Sequence, residues 1–309
     1  MSFQWKDLKM QSFVAIDFET ANGKRASACS IGLARFDEEG TVVETYQSLI
    51  LPHLEHRFFH PANTWVHGIR EADVAGAPEW GSLFEEVSEF VGNVPLVAHN
   101  FGFDGSVLNQ LTDLYQHEPM ENSRYCTLRL ARRLYPELPK KSLDVVFDHL
   151  FPGESLNHHE AEADAVAAGR IFAQMQRQQS LDEMDALLGP VRRSRAGTAP
   201  AVSNALSVLQ LVENFGQSTA LQGESICFTG TLERGKRADL EEFLTHVGAA
   251  ASKNITQKTT LLVVGVPNPS AWKEGSSASR KLERATQLRE KGAPIRVLSE
   301  EDFFALLVD

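Results

Sequence analysis

FVAIDFET, residues 13–20, alternates along its length and places two carboxylates where apolar side chains would be expected. A period of two reads as a β-strand over residues 12–19. Phe13, Ala15, Asp17 and Glu19 share one face, and Val14, Ile16 and Phe18 share the other. Residues i and i+2 of a strand point the same way, so Asp17 and Glu19 face one site. Two like charges this close repel unless a cation sits between them. Taken alone, an Asp-x-Glu pair is also an ordinary strand ending.

Two further acidic residues break apolar patterns downstream. Asp104, in AHNFGFD, opens the stripe Val107, Leu108, Leu111, Leu114, Tyr115 of a helix read over Asp104–His117. Alone, it could be an acidic residue favoured by the helix dipole. Asp164, in HHEAEAD, falls inside the arc of Ala161, Ala165, Ala168, Phe172 and Met175 on a helix read over His158–Gln176. A surface ion pair would put it on the other face, with Glu162 and Arg170. Burying unpaired carboxylates costs several kcal/mol each, so the set points to a bound cation.

The same helix carries a candidate base. Asn157 reads as its N-cap, with Glu160 at the third position closing a capping box. His159 then lies in the first turn, about 140° round from Asp164. A neutral imidazole near pH 7 suits a general base that takes a proton from water. His158 is the adjacent competitor, and the spacing is not that of an HExxH zinc site. All-oxygen carboxylate ligands select Mg²⁺ or Mn²⁺ over zinc. Four carboxylates and a base suit two-metal phosphodiester hydrolysis, with ions about 3.5–4 Å apart.

Working outward, Cys29–Phe36 and Thr41–Leu51 read as a hairpin, Pro78–Val91 as a helix and Pro95–Ala98 as a short buried strand. Thr127–Tyr135 and Ser142–Leu150 read as helices. Successive strands followed by alternating strands and helices predict a mixed α/β sheet over residues 1–178. Residues 179–222 read as a linker, with one helix around Ala205–Phe215. From residue 223 to 309 a second unit runs strand (Ser225–Phe228), helix (Arg237–Val247), strand (Leu261–Val264), helix (Ser279–Lys291), strand (Ile295–Val297) and helix (Glu300–Leu307), predicting a small parallel sheet.

At 309 residues the chain has room for about two domains. No stretch approaches a membrane span, and MSFQWKDLKMQSF lacks the apolar core of a secretory signal. Cys29, Cys126 and Cys227 form no CxxC pair, so reduced thiols and a cytoplasmic location are expected, with no membrane partner. The net charge of −11 is concentrated early: residues 1–178 carry 15 Lys and Arg against 25 Asp and Glu, whereas residues 221–309 carry 12 of each. Such a domain is a poor non-specific polyanion binder but a natural host for cations. Its basic stretch, Arg124, Arg129, Arg132, Arg133, Lys140 and Lys141, is either a substrate rim or a solvated helix face.

Asp17-x-Glu19 in DFET, Asp104 in HNFGFD and His159-x4-Asp164 resemble, in order and context, the DEDDh (DnaQ-like) 3′→5′ exonucleases over residues 10–178. HGI at His67–Ile69, CTLRLAR at Cys126–Arg132 and KSL at Lys141–Leu143 are further family-like pieces. The resemblance implies an RNase H-like fold, metal ligands Asp17, Glu19, Asp104 and Asp164, His159 as base, two Mg²⁺ or Mn²⁺ ions, and a terminal nucleotide held near Thr20. It further implies hydrolysis at DNA 3′ ends, single-stranded ends first, with release of nucleoside 5′-monophosphates in replication or repair. An exoribonuclease and a non-catalytic scaffold are the alternatives. In the proofreading subunits of that family a C-terminal segment joins the polymerase; here a different module occupies that end.

That module, residues 223–309, is similar to a BRCT domain through GESICFTG, RADLEEFLTHVGAAASKNITQKTTLLVVG, SRKLERA and IRVLSEEDFFALL. A hydroxyl, free backbone N–H groups and a helix N-terminus after Thr229-Gly230 make either an anion site or an ordinary turn beside two surface cations. The similarity implies phosphate contacts from Thr229, Gly230, Arg237 and Lys281, and as partner a DNA 5′-phosphate, a phosphopeptide or a replication or repair protein.

Overall fold

The computed structural model of the chain describes residues 10–156, 160–189, 206–266 and 279–308. It divides into two compact units: Met1–Arg57 with Ile69–Arg193, and Phe58–Gly68 with Ser194–Asp309.

In chain order the elements begin with β1 (Phe13–Thr20), β2 (Ala28–Phe36) and β3 (Val42–Leu49), then α1 (Pro61–His67), which belongs to the second unit. The first unit continues with α2 (Trp80–Val91), β4 (Leu96–Ala98), α3 (Phe101–Leu114), β5 (Arg124–Cys126), α4 (Thr127–Leu134), α5 (Leu143–Leu150), α6 (Ala161–Gln176) and α7 (Leu181–Leu188). Its sheet runs β3-β2-β1-β4-β5. The first three strands pair antiparallel, while β4 and β5 join in parallel. This is the mixed sheet of an RNase H-like fold.

Strand β1 is central, with helices on both faces, so its alternation separates two cores rather than core from solvent. Phe13 and Ala15 pack with Ala165, Ala168, Phe172 and Met175 of α6. Val14, Ile16 and Phe18 pack with Trp80, Leu83 and Val87 of α2 and Val107, Leu108 and Leu111 of α3. The first core holds Phe13 stacked on Phe36 at 4.7 Å and edge-on to Phe172 at 4.9 Å. Each such buried ring contributes about 1.5–3 kcal/mol relative to exposure.

Several local readings change. Helix α3 starts at Phe101 rather than Asp104, because Asn100 takes a left-handed conformation (φ 73°) that turns the chain from β4 straight into the helix. It ends at Leu114, before the positive φ of Gln116. Strand β5 and, in the second unit, the strand Ala250–Ser252 have three residues each, too few for a period to show. Helix α7 lies within the stretch expected to be linker; Ser180-x-x-Glu183 forms its capping box, and its Met184 is buried in the first core.

The second unit contains α8 (Val208–Phe215), β6 (Ser225–Thr229), α9 (Arg237–His246), β7 (Ala250–Ser252), β8 (Leu261–Val264), α10 (Arg280–Arg289), β9 (Arg296–Ser299) and α11 (Glu300–Val308). Its sheet is wholly parallel, in the order β7-β6-β8-β9. Ile226, Phe228, Leu261 and Val263 face a core with α8, α9 and α11. Cys227, Leu262 and Val264 face the other side, with α10 and α1.

Candidate active site

Strand β1 delivers Asp17 and Glu19 on the face that packs against α6, and α6 delivers Asp164 from within its buried stripe. Asp17, Glu19 and Asp164 each offer a carboxylate oxygen, and the three oxygens lie within 4.8 Å of one another. Asp164 is buried, and the other two are partly exposed.

The close approach has a local cause. Asp17 pairs across the sheet with Gly32 of β2, and the first residue of α6 lies over that glycine. A Cβ at Gly32 would sit 2.1 Å from the Ala161 carbonyl carbon. Only glycine lets the helix backbone settle so low on the sheet that Asp164 reaches the β1 carboxylates. A glycine inside a strand pattern is the signal that could have revealed this contact.

Asp104, in the first turn of α3, is 2% exposed, and its Oδ1 accepts a hydrogen bond from the Phe18 backbone N–H at 3.0 Å. Phe18 lies between Asp17 and Glu19, so this bond ties α3 to the centre of the site. Asp104 is not one of the three carboxylates within mutual ligand range, but its charge acts on the same group. Arg25, missed in the sequence, is 8% exposed with its guanidinium 4.2 Å from the centre of the Phe103 ring, and its charge favours ionised Asp104.

Electrostatics records the crowding. Burial, then the charges of Asp104, Asp164 and Glu19, holds the Asp17 carboxyl well above the usual range. Burial pushes Asp104 up to about 8, against the opposing pull of the Phe18 N–H, its own N–H and Arg25. An all-carboxylate group, with no cysteine or described histidine within ligand range, fits a hard divalent cation.

Thr20 is buried at the end of β1, next to a register shift at Glu19/Thr20. His159 and His158 lie outside the described residues, as does Asn157. The cap reading is corrected: Glu160 is itself the N-cap of α6, with extended backbone (φ −109°, ψ 120°), and the helix starts at Ala161. Glu160 stays extended until Ala161 meets Gly32.

His99 is a second residue that sequence reasoning passed over. Its Nε2 lies 2.8 Å from the Lys141 carbonyl, and its Nδ1 lies 2.9 Å from Thr127 Oγ1. A carbonyl only accepts, so Nε2 carries the hydrogen and Nδ1 accepts from the threonine. This ring joins the HNFGFD, CTLRLAR and KSL segments. The basic stretch is partly structural: Arg124 donates to Met120 O, Arg129 to Leu188 O, and Lys141 to Pro136 O and Leu138 O.

In the second unit the four phosphate candidates converge on the C-terminal end of β6. Thr229 Oγ1 is 3.1 Å from Ser279 Oγ, the N-cap of α10. Arg237 donates to Phe228 O and Gly230 O, and Lys281 Nζ donates to Phe228 O at 2.8 Å. Gly230 has φ +76°, and a Cβ there would lie 2.8 Å from Val266 O. Ser279 joins this cluster without having been singled out.

Comparison with known proteins agrees with both halves. The family RNase_T, described as Exonuclease, matches residues 14–172, and the BRCA1 C Terminus (BRCT) domain matches residues 216–306. The chain belongs to this exonuclease family: its DEDDh, DnaQ-like domain is a 3′→5′ exonuclease hydrolase, accompanied by a BRCT domain. It is 31% identical over 175 residues to DNA polymerase III subunit epsilon of Aquifex aeolicus (strain VF5), covering 54% of this chain and 84% of that one. It is 34% identical over 164 residues to DNA polymerase III PolC-type of Clostridium perfringens (strain 13 / Type A), covering 52% of this chain but only 11% of that much longer protein. A solved structure of Exonuclease X in complex with 5′ overhanging duplex DNA aligns with 57% of this chain and 99% of its own at a TM-score of 0.45 and 24% identity, a likeness too low to add to the assignment. Among the described residues, no helix is long and apolar enough to cross a membrane.

Proposed function

We propose that the chain removes nucleotides from the 3′ ends of DNA as nucleoside 5′-monophosphates, in replication or repair. The observation that carries this reading is the convergence of Asp17, Glu19 and Asp164 within 4.8 Å, beside an Asp104 pinned to the Phe18 N–H. In this reading those four carboxylates hold two divalent ions, Mg²⁺ or Mn²⁺. Such ions supply positive charge at the scissile phosphate and lower the pKa of water. The protein's own part is positional. Strand β1 and helix α6 hold carboxylates whose mutual repulsion the ions relieve, α3 fixes Asp104 through main chain, and Thr20 sits where the terminal nucleotide enters. His159, five residues before Asp164, takes the proton from the attacking water.

The exonuclease function is assigned to residues 1–178 and a separate binding function to the BRCT domain at 223–309, with 179–222 joining them. Thr229, Gly230, Arg237 and Lys281 bind a phosphate, delivering the nuclease to DNA ends or to a replication or repair partner. The polymerase III relatives and the presence of a BRCT domain favour DNA over RNA as substrate.

The decisive experiment measures nucleotide release by the purified chain from matched single-stranded DNA and RNA, with Mg²⁺, Mn²⁺ or EDTA. Metal-dependent release of nucleoside 5′-monophosphates from DNA, lost in Asp17→Ala, is the expected result. Preference for RNA would make the chain an exoribonuclease. No metal-dependent release from either substrate would leave the BRCT domain as the working part.

A further inference from the structure

The exonuclease family matches residues 14–172 as one stretch, yet Phe58–Gly68, inside it, packs as part of the second unit. The reason is visible in the parallel sheet. One face is covered by α8, α9 and α11, whereas the opposite face has α10 from its own neighbourhood in the chain. Helix α1 fills the remaining place. Ala62, 1% exposed, joins the core of Leu262, Val264, Leu282, Ala285 and Val297, with Trp65 and Val66 packed against it.

Polar contacts set its register. Trp65 Nε1–H donates to Thr286 Oγ1 of α10, and the Arg289 guanidinium lies 4.5 Å from the centre of the Trp65 ring. His60, 7% exposed, accepts the Ala62 N–H at Nδ1 (3.1 Å). Its Nε2 must then carry the hydrogen, and it donates to Gly265 O at 3.2 Å. Gly265 stands directly behind the phosphate candidates. Its N–H donates to Thr229 O at 2.9 Å, and a Cβ on Gly230 would lie 2.9 Å from its carbonyl oxygen. The carbonyl that His60 holds is therefore the one on which Gly230 rests.

We propose that Phe58–Gly68 is a working part of the BRCT domain: a clasp that covers the α10 face and in which His60 is a positioning residue for the Thr229–Gly230 site. The first half concerns packing alone, and the second rests on the phosphate reading of that site. A BRCT domain cut at the family boundary would lack both the cover and the positioning contact.

Hydrogen exchange on the full chain tests the packing. Ala62→Asp is expected to speed exchange about tenfold or more in α10 and β9, leaving β1 and β2 unchanged. Faster exchange in β1 and β2 instead, or no change in α10, overturns the clasp. His60→Asn tests the positioning. Asparagine still caps Ala62 but is too short to hold Gly265. In EDTA, its affinity for a 5′-phosphorylated DNA duplex is expected to fall roughly fivefold, with affinity for the unphosphorylated duplex unchanged. If the unaltered chain prefers the phosphorylated duplex and His60→Asn does so equally, the positioning role is overturned. If the unaltered chain shows no such preference, the phosphate reading and the positioning role fail together, while the exchange result still decides the clasp.

Discussion

The carbonyl of Ala161 lies against the Cα of Gly32, so close that a Cβ at Gly32 would come within 2.1–2.2 Å of three main-chain atoms of α6. Main chain cannot rotate away as a side chain can. Gly32→Ala should therefore lift the start of α6 and carry Asp164 away from Asp17 and Glu19. The expected outcome is a loss of nucleotide release of on the order of 100-fold, with stability lowered by about 1–3 kcal/mol. Release assays below the melting point and urea titration check the two effects separately.

The cluster of Asp17, Glu19 and Asp164 should bind cations as a folded unit. Added Mg²⁺ or Mn²⁺ is expected to raise the melting temperature of the intact chain, by about 2.7 kcal/mol of stabilisation at a hundredfold excess over the dissociation constant. In Asp164→Asn most of that rise should vanish together with nucleotide release. A full metal-induced shift in this variant, read by differential scanning fluorimetry, would place the cation elsewhere.

The acidic site also sets a pH dependence in EDTA. Asp17 is held above the usual carboxylate range and Asp104 is pushed up to about 8, while both titrate near 4 when unfolded. Between those values the folded state binds more protons than the unfolded state, so stability falls as pH rises. The melting temperature should decline from about pH 4 to about pH 8 at this site, and Asp104→Asn should flatten the decline. Divalent metal should oppose it most at the alkaline end. A metal-free profile unaltered by Asp104→Asn would contradict the assignment.

His99 is expected to be structural. Replacing it with alanine leaves the Lys141 carbonyl and Thr127 hydroxyl without this partner, at a cost of about 1–3 kcal/mol. The variant should melt earlier yet keep its metal-induced shift. Loss of that shift in a folded His99→Ala protein would assign the ring a direct part in metal binding.

How much of this was legible varies by residue. The β1 alternation and the buried positions of Asp104 and Asp164 follow from periods of two and 3.6, which sequence carries directly. The starts of α3 and α6 do not. Asn100 adopts positive φ, and Glu160 stays extended until the chain meets Gly32; neither feature has a periodic signature. Strands β5 and β7 are too short to show one. The capping boxes at Ser180 and Ser207 were readable, and only the second fell within an expected helix.

The sequence by itself determined which side chains could work together: two carboxylates on one strand face, one at the head of an apolar helix stripe, one inside another such stripe, and a Thr-Gly turn after a second buried strand. Local periodicity decides that much, because a side chain's direction follows from its own backbone. Only the tertiary structure decided how near these groups come and to which unit a segment belongs. The 4.8 Å carboxylate group depends on a glycine in a different strand. Likewise, α1 lies within the exonuclease sequence but packs on the parallel sheet, because the uncovered apolar face there is long-range in sequence. Distances between such elements are set by packing, and packing is not written in any one stretch of chain.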